Sequence, residues 1–330
     1  MTRIEDHPDL LGAGRPGGGP GSVVPRAEVR SYYGQPILKQ PVWKPEVPWY
    51  LFTGGLAGAS AVLAAGADLS GRPELARVAR RVAVAGALVS PALLISDLGR
   101  PARFLNMLRV VRPTSPMNMG AWLLAAFGSA AGATALLDAG RPDGPLTRLA
   151  GLSAAVTGSA LATYTGVLLA DTAVPAWHDA RRELPFLFAA SAAASAGAAA
   201  TVFTAPPETR PARRLAFAGF AAEQVAFRAI RRQLGPVVAS PYADGPAARY
   251  RKAGETLGAT GAVLLAAAGG RPARSWRAVG ATGAALLVTS AVCTRFAVFK
   301  AGFASAADPA ATVAPQRARI QTETIRRTET

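Results

Sequence analysis

Tyr164, Leu168 and Asp171 recur at helical spacing, so one helix face would carry a phenol, an apolar spacer and a carboxylate into the same space. His178 follows in the short string Pro175-Ala-Trp-His178-Asp-Ala-Arg-Arg-Glu183. Imidazole changes protonation near neutral pH, and a phenol beside a carboxylate can hold and release protons. The chemistry within reach is proton exchange with a bound small molecule. A solvated loop histidine would read the same way.

Other charges lie against hydrocarbon. Asp97 stands three residues before Arg100, a spacing that shares a helix face, although Pro101 favours a break just before it. Arg100, Arg103, Arg109 and Arg112 alternate with Phe104, Leu105, Met107 and Leu108. From Asp97 to Trp122 this mixture suits a docking platform at headgroup level. Glu223 interrupts an apolar stretch, where a carboxylate is costly unless protonated, hydrogen-bonded or paired with an arginine such as Arg228. It could relay protons or serve as an internal polar contact. Asp68 and Asp138, at the ends of apolar stretches, read as interfacial caps.

The elements that must position these groups are membrane helices. Half of the 330 residues are hydrophobic, and they are gathered into blocks. A bilayer core of about 30 Å takes roughly 20 apolar residues per helix. Eight such spans are expected, at 49–69, 78–97, 117–137, 149–170, 185–204, 212–230, 254–270 and 276–298, giving an all-α polytopic membrane bundle. The sixth is the weakest, because Glu223, Gln224 and Arg228 interrupt it. Gly54 and Gly58 form a small-xxx-small pair suited to close helix packing. Around this domain, 49–303, the sequence reads as a disordered tail at 1–31, an extended partner-docking segment at 32–48 and a polar tail at 304–330.

Several chemistries are excluded. Cys293 is the single cysteine and His7 and His178 are the two histidines, too few for a disulfide framework, an iron-sulfur cluster or a bis-histidine haem. No phosphate-binding, zinc-protease or nucleophile-elbow motif occurs, so no metal is expected. The net charge of +16 is tested first against the positive-inside rule, not against nucleic acid. With eight spans, 24 of the 36 Lys and Arg fall on the side of both termini and 12 on the other, which predicts cytoplasmic termini and no nucleic-acid partner. Residues 1–48 lack an apolar h-region, so no signal peptide is expected.

The strings Pro48-Trp-Tyr-Leu-Phe-Thr-Gly-Gly-Leu-Ala-Gly58, Asp97-Leu-Gly-Arg-Pro-Ala-Arg-Phe104, Ser115-Pro-Met-Asn-Met-Gly-Ala-Trp122, Tyr164-Thr-Gly-Val-Leu-Leu169 and Pro175-Ala-Trp-His178 resemble the NrfD/PsrC family, the membrane subunit of polysulfide-reductase-like complexes. The resemblance runs from about Tyr32 to Phe303. It implies an eight-helix bundle that holds no cofactor of its own. Such a subunit exchanges electrons between a quinone, here menaquinone, and a docked ferredoxin-like iron-sulfur subunit, often with a molybdopterin enzyme beyond.

Carried across, the quinone pocket would draw on Trp49, Tyr50, Asp97 and Arg100 for binding and on Tyr164, Asp171 and His178 for proton chemistry, with Glu223 on a proton path. Arg103, Arg109 and Arg112 would receive the cluster subunit. Relatives are usually drawn with that face outside the cell. The arginine count puts it in the cytoplasm of a bacterial cell whose inner membrane holds the chain, facing a formate-dehydrogenase-like partner. A secondary transporter or a purely structural anchor are the rival readings.

Overall fold

Proline marks where many of the helices begin. In the computed structural model, which describes residues 36–328 except Gly99, Pro101, Pro142, Asp143, Gly270 and Pro272, and not the side chains of Arg319 or of residues 322–328, helices open on Pro73, Pro116, Pro145, Pro175, Pro246 and Pro309. At the first helical position proline removes an N–H that has no partner anyway, and its φ is already helical. The helices are α1 (Glu46–Leu69), α2 (Pro73–Asp97), α3 (Ala102–Met107), α4 (Pro116–Gly140), α5 (Pro145–Ala170), α6 (Pro175–His178), α7 (Leu184–Phe203), α8 (Arg210–Val238), α9 (Pro246–Ala268), α10 (Arg274–Ala307) and α11 (Pro309–Thr328). No strand occurs among the described residues. The expected disordered tail at 1–31 and residues 32–35 of the docking segment lie outside them.

Six helices, α1, α2, α4, α5, α7 and α10, are long and apolar enough to cross a membrane. The chain is a helical, multi-pass membrane bundle. At the sixth and seventh expected spans the structure has helices α8 and α9, but neither meets that standard of length and apolarity, so the count of eight is not reached on composition. The reason is amphipathicity: α8 buries Ala212, Ala216, Gly219, Glu223, Phe227, Ile230 and Leu234 at three- and four-residue intervals, while Arg228, Arg231 and Arg232 are exposed. The last span extends beyond 298 to Ala307, and the polar tail from Pro309 is helical.

Short connections make α1–α2, α4–α5, α7–α8 and α9–α10 hairpins whose turns gather at one end of the bundle. There the Glu74 carboxylate accepts the Ala205 N–H at 2.8 Å and Glu208 accepts the Leu75 N–H at 3.0 Å. Asp68 and Asp138 are not caps of their own helices. Both pair with the nearly buried guanidinium of Arg80 on α2, which needs counter-charge that α1 and α4 supply.

Glycine sets how closely the helices approach. A Cβ on Gly58 would meet the backbone of Gly158 on α5, and one on Gly158 would lie 2.9 Å from Gly58 Cα, so both residues must lack a side chain. Gly54 has only ordinary contacts, with Ser90 Oγ at 3.7 Å and Leu161 at 3.9 Å. The small pair therefore works across two helices instead of along one.

Candidate functional site

At the end opposite the four turns, the loop before α4 is fixed by one asparagine. Asn118 donates from Nδ2 to the Met107 carbonyl at 2.6 Å and to the Val110 carbonyl at 2.9 Å, and its Oδ1 accepts the Arg112 N–H at 2.6 Å. Trp122 Nε1 adds a bond to the Val110 carbonyl at 3.3 Å, and Ser115 caps α4 by accepting from the Asn118 N–H. The Tyr164 hydroxyl donates to the Pro116 carbonyl, which ties α5 to the first turn of α4. Gly120 makes this contact feasible, because any side chain there would enter the Tyr164 ring.

Alongside these groups α6 is anchored from within. Trp177 is fully buried, donates from Nε1 to the Val298 carbonyl at 2.8 Å and stacks on Trp43 at 5.4 Å. The Ala176 N–H is held by Ser305 Oγ at 3.2 Å. With Trp177 pointing inward, its neighbour His178 is exposed. Trp43, from the segment expected to dock a partner, packs on its own bundle.

These elements enclose an open cleft of about 1030 Å³, counting its mouth, lined by Tyr164, Val167, Asp171, His178, Arg181 and Met119 together with Pro113, Thr114 and Pro116. Tyr164, Asp171 and His178 are thus brought together as expected, with one adjustment: Val167 lines the cleft, while Leu168 packs against the core. Asp171 is the residue that ends α5, and its side chain is exposed. Thr114, Met119 and Arg181 were not anticipated. Arg181 had a readable signal, since it lies three residues after His178 in the same short string.

The remaining expected quinone ligands are not at this cleft. Tyr50 is buried behind it, within electrostatic reach of Tyr164. Trp49 turns the other way and packs edge-on against Phe296 at 5.7 Å. The α2 helix ends at Asp97, so Asp97 and Arg100 share no helical face, and no ion pair links them among the described residues. Arg100, Arg103, Arg109 and Arg112 are all exposed on the segment between α2 and α4. Among the described residues no cluster of His, Cys, Asp and Glu could hold a metal ion.

A second polar centre is closed. Glu223 is 1% exposed and accepts a 2.5 Å hydrogen bond from Thr294 of α10. The cation within its electrostatic reach is Arg295 of α10, without an ion pair between the two among the described residues; Arg228 lies on the exposed face of α8. Arg295 is also 1% exposed; it donates to the Phe188 carbonyl at 2.9 Å and to the Leu51 carbonyl at 3.4 Å, with its guanidinium 3.9 Å above the Phe188 ring. One Glu223 oxygen and one Arg295 nitrogen have no hydrogen-bond partner among the described residues.

Residues 37–210 match the family described as polysulphide reductase, NrfD, over just more than half of the chain. The match spans α1 to α7 and contains every residue of the cleft, whereas Glu223 and Arg295 lie beyond it. No curated protein matches the chain.

Proposed function

Because the chain belongs to the NrfD family, membrane subunits of oxidoreductase complexes, we propose that it passes electrons between a docked redox subunit and a quinone held in the Tyr164–Asp171–His178 cleft. One observation carries this reading: a phenol, a carboxylate and an imidazole line a single open cleft beside an arginine-bearing loop. Bound quinone would supply the redox chemistry, taking up two electrons and two protons to form two O–H bonds.

The residues present fit such a head group. Met119, Val167, Pro113 and Pro116 offer apolar walls for a ring, and the side chains of Asp171 and His178 are exposed to meet its two oxygens. His178 and Asp171 would hold and deliver protons at those oxygens. Tyr164, already donating to the Pro116 carbonyl, would keep α4 and α5 in register and present its phenol oxygen to the cleft. Tyr50 stands behind Tyr164 as support, and Trp49, Asp97 and Arg100 frame the same end of the bundle without lining the cleft.

The proposed partner is a ferredoxin-like iron-sulfur subunit seated on Arg103, Arg109 and Arg112, with a molybdopterin catalytic subunit beyond it. The excess of Lys and Arg on that side supports a cytoplasmic partner face and cytoplasmic termini in a bacterial inner membrane. Glu223, with one carboxylate oxygen unpartnered in the bundle interior, is proposed to hold a proton on a path through α8 and α10.

Two conservative variants test the reading. Tyr164→Phe and Asp171→Asn should each lower menaquinone-dependent electron transfer by about 10²-fold, the scale of lost proton-transfer catalysis, while the complex still co-purifies intact. A structural anchor predicts unchanged transfer in both. Full turnover in both variants would remove the cleft as the quinone site.

A further inference from the structure

At the end of the bundle away from the cleft, a second, shallow pocket of about 430 Å³, counting the solvent at its mouth, opens between the α7–α8 turn and the α9–α10 turn. Arg213, Arg271 and Arg277 line it, and no Asp or Glu does. We propose that this pocket binds the phosphate headgroup of an anionic phospholipid.

The pocket is built for an anion. Arg271 is held from two sides: its Nη1 donates to the Ala267 carbonyl at 2.5 Å, and its guanidinium stacks 4.5 Å from the Trp276 ring centre. Arg213 keeps a buried Nε with no hydrogen-bond partner among the described residues. Thr201, Thr204 and Thr209 bond to carbonyls of their own turns, so the guanidiniums are the groups left to meet a ligand. The contrast lies at the same end of the bundle, where Arg80 is neutralised by Asp68 and Asp138. Charge there is consumed internally; at the α7–α10 pocket it is not.

Lipid, and not a soluble anion, follows from the walls. The pocket lies where the apolar spans α7 and α10 end, which is headgroup level, and Trp276 is partly exposed there, as interfacial tryptophans are. Its inner wall is apolar, formed by Val202, Leu265, Ala268 and Ala281. Clustered arginines at the ends of transmembrane helices attract anionic heads, here on the face opposite the proposed partner platform.

The test uses the full-length protein in neutral detergent, titrated with phosphatidylglycerol and with phosphatidylcholine of the same chains and followed by native mass spectrometry. Phosphatidylglycerol should bind saturably at one site and phosphatidylcholine should not. Arg213→Gln, Arg271→Gln and Arg277→Gln should each weaken binding by roughly fivefold, the worth of one arginine at an anionic surface. Arg77→Gln with Arg81→Gln, at another rim, should leave it unchanged. Exposed Arg271 gives a variant that does not disturb the interior. Equal binding of both lipids, or retained affinity in the Arg271→Gln variant, would overturn the proposal. So would displacement of the lipid by millimolar inorganic phosphate, which would mark a soluble-anion site.

Discussion

The Tyr164–Asp171–His178 cleft and the Glu223–Arg295 centre use similar chemical groups and differ in who already holds them. In the closed centre both groups are 1% exposed, and Thr294, the Phe188 carbonyl and the Leu51 carbonyl take up part of their hydrogen-bonding capacity. In the cleft, Asp171 and His178 are exposed, and among the described residues neither side chain has a hydrogen bond, while Tyr164 is tied to Pro116. Polar groups spent on one another fix helices in place; polar groups left open can meet a ligand. A proton can reside in the first site, but only the second has room for a ring.

Removing the cation should produce the largest effect. Arg295→Met would strip the Phe188 and Leu51 carbonyls of their buried donor and should cost about 1–3 kcal/mol of stability for each group left unsatisfied. Thermal unfolding in detergent would read the loss. Adding Glu223→Gln to that variant should restore only the part of the loss that comes from the electrostatic coupling of Glu223 to Arg295, because the two carbonyls stay unpaired. If Arg295→Met melts with the parent protein, the two residues are not coupled and the contrast between the centres fails.

The two regions were unequally legible in sequence. Spacing along one helix brought out Tyr164 and Asp171, and proximity in the chain added His178, so the cleft could be assembled from residues within 15 positions of one another. Met119 and Thr114 come from another helix and its loop, and only the Tyr164 to Pro116 contact reveals them. The Glu223 partners were hidden for the same reason: Thr294 is 71 residues away, and Arg295 sits in an otherwise apolar stretch where charge counting took it for a terminal-segment residue. As quinone ligands, Trp49, Asp97 and Arg100 came from the resemblance, which was too coarse at the cleft to say which way each side chain turns. Among the helices, α1, α2, α4, α5, α7 and α10 were readable because uncharged runs of sufficient length identify them. The helix α8 was blurred because it hides an apolar face behind exposed arginines, and α9 because Arg249, Arg251, Lys252 and Glu255 crowd its first turns.

A change at the cleft should act on function more than on stability. Gly120→Ala places a methyl group where the Tyr164 ring lies, so the ring must move and the Pro116 bond must lengthen or break. Such overpacking costs about 1–3 kcal/mol. Electron transfer to quinone should fall at least as far as in Tyr164→Phe. Combining the two substitutions should add little further loss of transfer, since both disable the same contact. Additive losses would mean that Gly120 serves packing elsewhere and that the Tyr164 contact does not shape the cleft.

The smallest effect belongs to the exposed arginines beside the cleft. Arg103, Arg109 and Arg112 are solvated, so each contributes mainly long-range attraction to a partner and little to the fold. Replacing one by Gln should slow association with the iron-sulfur subunit by about two- to fivefold at low salt, with the difference vanishing near 0.5 M salt, where charges are screened beyond roughly 4 Å. Surface-capture kinetics at several ionic strengths would measure it. Asp171→Asn, inside the cleft, should change the association rate far less than it changes turnover. That crossed pattern, docking lost without chemistry at the loop and chemistry lost without docking in the cleft, is what separates a platform from a pocket. If the arginine variants instead lower turnover of the assembled complex at saturating partner, the loop belongs to the quinone site, and its charges act on the ligand instead of the subunit.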